Sequence, residues 1–518
     1  MADTPDPKTV VNLAWWQRIF AVDYRSLAAL RIGLGVLVLL DVRLRWSIIA
    51  EMYSDTGYFT RELATKYFDN FANLPWRNLI WSVHMLDGSV EFAQALFVVE
   101  AILAVMLIAG CLTRPATLLL WILVASVHAR NPIIISSADM LLKLMLFWSI
   151  LLPLGRVWSI DSRVWKRARP TSVYCSVASA GFILQFILMY FFTGIAKWND
   201  IWLSGTAMEY VMRLDIYATP FGRSLLDKPL VPEFIDYSTL VMEVGAVWLI
   251  FLPWRNAVFR VLLILSYWLF HFGISLSMSI GLFSWICMAV WLILIPTGFW
   301  DWIGGAIQTV SGATEPDQPG WGYRLVRIGT NTFAGLMIVL AILWNVCNMA
   351  YPRYAWVLPA PMECLGRIMA FEQHFQMFGK PPTESPWFVY HGWLKNGQEV
   401  DIFRGGKPVD VSKPERISLT FPDHNYRKLH RNLISEKFGF FRQPLLESVV
   451  RKWNKEHSED KQVISVELIA IYEPIGPKYN GVDRLSRTWA TWRSPDLKEG
   501  WRFELLRRRM KNRTGPAF

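Results

Sequence analysis

One lysine stands where an amine can do chemistry. Lys197 ends the run Tyr190-Phe191-Phe192-Thr193-Gly194-Ile195-Ala196-Lys197 and precedes Trp198-Asn199-Asp200-Ile201-Trp202, so its ammonium falls among aromatic rings at the edge of a long apolar segment. Desolvation disfavours the charged form of a lysine, and a neutral amine is a usable general base. The structural alternative is snorkelling, in which the stem lies in lipid and the charge reaches the headgroups. Other ionisable residues inside apolar segments are Arg31, Asp41, Glu100, Asp139, Lys143, Glu243 and His271. Such groups are costly in a bilayer and are functional candidates by default. Asp139, Lys143, Lys197, Glu243 and His271 fall toward one end of their segments, which predicts a shared polar cavity. The competing reading is a set of buried ion pairs that fixes helix packing.

The elements that must position these residues are membrane helices. Of the 518 residues 53% are hydrophobic and 18% charged, against roughly 25% charged in soluble domains. Segments that can cross a bilayer fall at about 27–48, 92–110, 115–129, 137–154, 174–196, 237–253, 257–273, 277–299 and 327–349. The seventh and eighth can also be one hairpin broken near Gly273. The fold class expected is a polytopic α-helical membrane domain of about nine helices over residues 27–350, then a small α+β domain over 351–518. Residues 1–26 form a polar amino-terminal segment without the apolar core of a signal peptide.

The net charge of +11 does not point to nucleic acid, because much of it sits in short loops. Arg156, Arg163, Lys166, Arg167 and Arg169 follow the fourth segment with Asp161 as the only acid, which places that loop in the cytoplasm. Alternation puts the amino terminus in the cytoplasm and the 49–91 loop, the 197–236 loop and the carboxy-terminal domain outside; the setting expected is a bacterial inner membrane. Cys111, Cys175, Cys287, Cys347 and Cys364 show no C-x-x-C spacing, and no metal site is expected.

Beyond Pro352, Pro359 and Pro361, alternation predicts strands at Trp387–Trp393, Glu399–Phe403, Arg416–Thr420 and Val463–Tyr472, with a tight turn at Asn396-Gly397. Asn425–Glu436 and Pro444–His457 read as amphipathic helices, and the Arg507–Arg513 tail as a solvated basic end.

Four groups of residues carry a resemblance. They are Ser26–Arg31 with Leu40-Asp41, Tyr53, Asp55 and Gly57; Trp158–Asp161; Gly194–Lys197 with Trp202, Gly205 and Met208–Tyr210; and His271 with Ser279–Phe283. In this order, over roughly 20–300, the chain resembles the vitamin K-dependent γ-carboxylases and the wider bacterial group that shares their horizontally transferred transmembrane (HTTM) domain. The resemblance implies that Lys197 deprotonates a reduced vitamin K or menaquinol-type quinol. The anion would take up O₂, and the resulting base would remove a proton from a peptide glutamate, whose carbanion captures CO₂ as the quinone leaves as its epoxide. Asp139, Lys143, Trp198, Trp202, Glu243, His271 and Ser279 are the candidate residues of the quinone pocket. The partners implied are membrane lipid, the quinone and a peptide or protein substrate.

The sequence also departs from the pattern. Where the carboxylases carry a histidine for carboxylation it reads Ser136-Ser137-Ala138-Asp139, and position 196 is alanine. The resemblance therefore supports quinol oxygenation and epoxidation more than carboxylation. The alternative is a non-enzymatic HTTM protein that binds a lipid, a toxin or a protein partner.

Overall fold

A computed structural model describes residues 14–69, 81–165, 173–304, 321–350, 357–477, 484–495, 497 and 501. Lys166, Arg167, Arg169, Pro352 and the 507–513 tail lie outside the described residues.

Helices stand at all nine expected positions. They are α1 (Tyr24–Trp46), α2 (Val90–Ala109), α3 (Thr113–Arg130), α4 (Ser137–Ile150), α5 (Val177–Ala196), α6 (Val231–Leu240), α7 (Asn256–Ser277), α8 (Phe283–Trp291) and α9 (Trp321–Ala350). Five spans are long and apolar enough to cross a membrane: α2, α5, α6 continued to Phe251, α7 and Arg324–Met349 within α9. A sixth forms if Phe283–Leu294 and Thr297–Gly304, bent by 90° to each other, count as one. Three of the nine expected segments, α1, α3 and α4, fall short of that length and composition. α1 carries Arg25, Arg31, Asp41, Arg43 and Arg45, and the 14 residues of α4 reach about 21 Å against a hydrocarbon core of about 30 Å. Nor is there a break at Gly273, because α7 runs through it to Ser277.

Polar side chains start and anchor these helices. Asp23 caps α1, Ser89 caps α2, and Ser136 with Asp139 forms a capping box at α4, so amide groups that no helical carbonyl can reach are satisfied. Arg31 is a structural staple: its guanidinium donates to the carbonyls of Ile108, Leu154 and Trp158. Gly110 closes α2 at φ +67°, and a Cβ there would lie 2.2 Å from Arg31 Nη1. Only glycine meets both demands.

The carboxy-terminal part is an antiparallel sheet with helices packed on it. Strands β1 (Glu384–Leu394), β2 (Glu399–Asp401), β3 (Lys407–Pro408), β4 (Val463–Pro474) and β5 (Leu485–Arg493) run in the order β3-β2-β1-β4-β5. Gly397 turns between β1 and β2 at φ +87°. Helices α10 (His424–Leu433) and α11 (Arg442–Glu456) follow the expected pattern. The strand expected at Arg416–Thr420 is instead a 3₁₀ turn at Ile417–Thr420. There Ile417 is buried but Leu419 is 68% exposed, so the alternation had one inward residue and no sheet edge to join. β5 was not anticipated, since Leu485-Ser486-Arg487-Thr488-Trp489 is mostly polar and lies at the edge of the sheet.

This sheet unit sits directly on the helical part. Asn432 donates to the Ile133 carbonyl at 2.5 Å, Arg427 to the Ser279 carbonyl at 2.6 Å, and Lys452 pairs with Glu51.

Candidate functional site

The residues that α5 brings together follow its 3.6-residue period. Tyr190, Thr193 and Lys197 share one face, and all three line a cavity of about 530 Å³. Gly194 sits beside them and lets α5 touch the next span. A Cβ at this glycine would lie 2.7 Å from Val244 Cγ2 and 2.9 Å from Glu243 Cβ. Opposite it, Val241–Gly245 forms a single π turn that carries Glu243. Such a turn frees a carbonyl, and the Tyr267 hydroxyl donates to the Met242 oxygen at 2.5 Å.

The close approach sets the central contact. Lys197 Nζ donates to Glu243 Oε2 at 2.7 Å and lies 5.2 Å from the Trp202 ring centroid. Lys197 is 3% and Glu243 6% exposed, so this is a buried ion pair and not a snorkelling lysine. Across the cavity His271 Nε2 meets the Tyr190 hydroxyl at 2.6 Å, and Trp291 Nε1 donates to that same oxygen at 3.1 Å. His271 Nδ1 is buried and without a hydrogen-bond partner among the described residues. The remaining wall is mostly apolar, with Met189, Met208, Met212, Phe270 and Phe283 among its residues.

Met377 and Phe378 line the cavity from the carboxy-terminal part. Trp202 Nε1 donates to the Phe378 carbonyl at 2.8 Å and Asn199 Nδ2 to the Gly379 carbonyl at 2.7 Å. Phe378 holds φ +52°, unusual for a residue with a side chain. Phe221, Phe234 and Leu269 line the cavity and are at least half exposed, which makes an apolar side opening.

The expected single polar cavity is therefore divided. Lys197, Trp202, Glu243 and His271 line one space; Asp139, Lys143, Trp198 and Ser279 do not. Asp139 caps its own helix, accepting from the Ser136 amide at 2.6 Å, and pairs with Arg45. Arg45 also holds Asp41 at 2.7 Å and Tyr53 at 2.6 Å. Ligand atoms of Asp41, His128 and Asp139 lie within 4.8 Å of one another, but the Arg45 guanidinium occupies both carboxylates as their cation. Lys143 faces Glu372 at 3.6 Å. Trp198 is 64% exposed, because the chain turns at Lys197 as the helix ends. Ser279 accepts from Arg427 through its carbonyl at 2.6 Å and its hydroxyl at 3.1 Å.

Tyr190 and Thr193 were not singled out, although spacings of three and four to Lys197 were the signal that could have found them. His424 was missed entirely. It is delivered by α10 to a chamber that Ser136 and Ala138 also line, next to the stretch that lacks its own histidine, and no local pattern could have placed it there.

Gly194→Ala should test the helix contact. A methyl group has no room between Glu243 and Val244, so unfolding should become easier by about 1–3 kcal/mol. An unchanged melting temperature in detergent would mean that the contact is looser than described.

No curated protein and no solved structure matches the chain. A model of the HTTM domain family matches residues 20–302, more than half of the 518 residues, and the matched stretch holds α1 to α8, Lys197, Glu243 and His271. With its apolar spans, the chain is a membrane protein that belongs to the HTTM domain family.

Proposed function

We propose that the Lys197 cavity is a catalytic site for a quinol, with the Lys197–Glu243 pair removing the hydroxyl proton that starts quinol oxygenation. The observation that carries this reading is the buried 2.7 Å pair at the wall of a mostly apolar cavity with an apolar side opening. The volume, about 530 Å³, falls in the range of ligand pockets, roughly 300–1,000 Å³, and the side opening suits a substrate that arrives through the bilayer.

A lysine paired with a carboxylate is protonated and cannot accept a proton as it stands. Glu243 supplies the way out. Buried in this way, both charges are poorly solvated, so transfer of the ammonium proton to the carboxylate relieves two desolvation penalties while losing one attraction. The neutral amine, 5.2 Å from the Trp202 ring centroid, can then take the quinol proton. Tyr190 and His271 face the same space as hydrogen-bond groups for the second ring oxygen. The bound quinol supplies the reducing power with which O₂ is activated. Carboxylation with CO₂ is the further step the family suggests, with His424 an imidazole that lines the same chamber as Ser136, Ser137 and Ala138. Purified protein should convert a reduced naphthoquinone to its epoxide in O₂; no epoxide under any lipid or detergent condition would overturn the reading.

The same reading requires a cytoplasmic amino terminus and an outward carboxy-terminal part, as in a bacterial inner membrane. Asn396 is exposed at the β1–β2 turn. A cysteine there should react with an impermeant thiol reagent on intact cells, whereas labelling only after lysis would reverse the orientation.

A further inference from the structure

Beside the Lys197 cavity lies a chamber of opposite character. It measures about 370 Å³ and is bounded by the first turn of α4, residues 376–382 and α10. Lys380, Lys428 and Arg431 line it, and no Asp or Glu does. Arg427 stands one position before Lys428 but is committed to Ser279 and His424. Lys428 and Arg431 have no ion-pair partner among the described residues. Burial, and then Arg431, pushes the Lys428 ammonium down to about 8, while Asp139 pulls the other way with a carboxylate already taken by Arg45 and Ser136. His424 is held neutral, pushed down to about 3 by burial and then by Arg427.

Cations gathered in a recess without an acid repel one another until an anion joins them. Ser137 and Ala138 add the amino end of the 14-residue α4 to the same wall, where the helix dipole favours negative charge beside the Asp139 cap. Ile280, Phe283, Met377 and Phe378 line both this chamber and the apolar cavity, so the two spaces adjoin.

We propose that the chamber binds a phosphate group, either the head of an anionic lipid or phosphate free in solution. Two lysines, an arginine and a helix amino terminus match a polyvalent oxyanion better than a single carboxylate. The site holds whether or not Lys197 acts as a base.

Full-length protein in detergent is titrated calorimetrically with inorganic phosphate. In parallel, protein in phosphatidylcholine nanodiscs doped with phosphatidylglycerol is assayed by native mass spectrometry for retained lipid. Saturable binding of either probe is expected, weakened about tenfold or more in Lys428→Gln/Arg431→Gln and kept in the charge-conserving Lys428→Arg/Arg431→Lys. Phosphatidylglycerol alone would identify the source as a lipid head, inorganic phosphate alone as a soluble anion. No saturable binding of either, or equal binding by the double glutamine variant with an unchanged melting temperature, overturns the proposal. So does a glutamate-containing peptide that outcompetes phosphate.

Discussion

Lys197→Ala should abolish epoxide formation, and Lys197→Arg should abolish it as well. The second substitution carries the weight. Alanine removes the base, but it also removes the partner of Glu243 at 2.7 Å, so a loss of activity alone could reflect a disturbed cavity. Arginine keeps a positive charge beside Glu243. A guanidinium stays protonated in proteins and cannot accept the quinol's proton. If Lys197 only ties α5 to the Glu243 turn, arginine should retain most of the stability and any activity. If the lysine is the base, arginine should resemble alanine in turnover while resembling wild type in melting temperature. General bases contribute typically 10²–10⁴-fold, and the loss should fall in that range. Equal epoxide from wild type and both variants would remove Lys197 from the chemistry and leave the non-enzymatic reading.

What made Lys197 visible in the sequence was a charge at the end of an apolar run, and the same signal marked Glu243 and His271. It could not tell which charges meet. Asp139 in the first turn of α4 and Lys197 at the carboxy end of α5 were expected at one depth, yet α4 turns Asp139 toward Arg45, and α5 turns Lys197 toward the π turn at Glu243. Depth is legible from hydropathy, whereas azimuth depends on helix packing that no single segment encodes. Gly194 is an example: it reads as a small residue in a long apolar helix, and its role is set by the backbone 46 positions after Lys197's own. The nine helical segments were legible because each is long and apolar. Three fall short of a span, α1, α3 and α4, and in α1 and α4 the cause is charges and length that pair or cap inside the bundle. The chamber at α10 was out of reach, because it forms only where the sheet unit lies against α4.

Removing Glu243 should cost stability that removing both partners restores. Glu243→Leu leaves the Lys197 ammonium buried among Met, Phe and Trp side chains with Thr193's carbonyl at 3.5 Å as its remaining hydrogen-bond acceptor among the described residues. Breaking a buried pair in this way costs about 3–5 kcal/mol. Adding Lys197→Met removes the orphaned charge, and replacing a whole buried pair with apolar side chains is often neutral or stabilising. The double variant should therefore melt near wild type, or above it, and form no epoxide. That combination separates the two roles of the pair: a stable protein without activity means that the charges are kept for chemistry and not for folding. Glu243→Gln adds the finer distinction. It keeps the shape and one acceptor but cannot take the ammonium proton, so turnover should fall far more than the melting temperature does. Should the double variant unfold more readily than either single one, the pair is an anchor of the bundle, and its place beside the cavity has a structural cause.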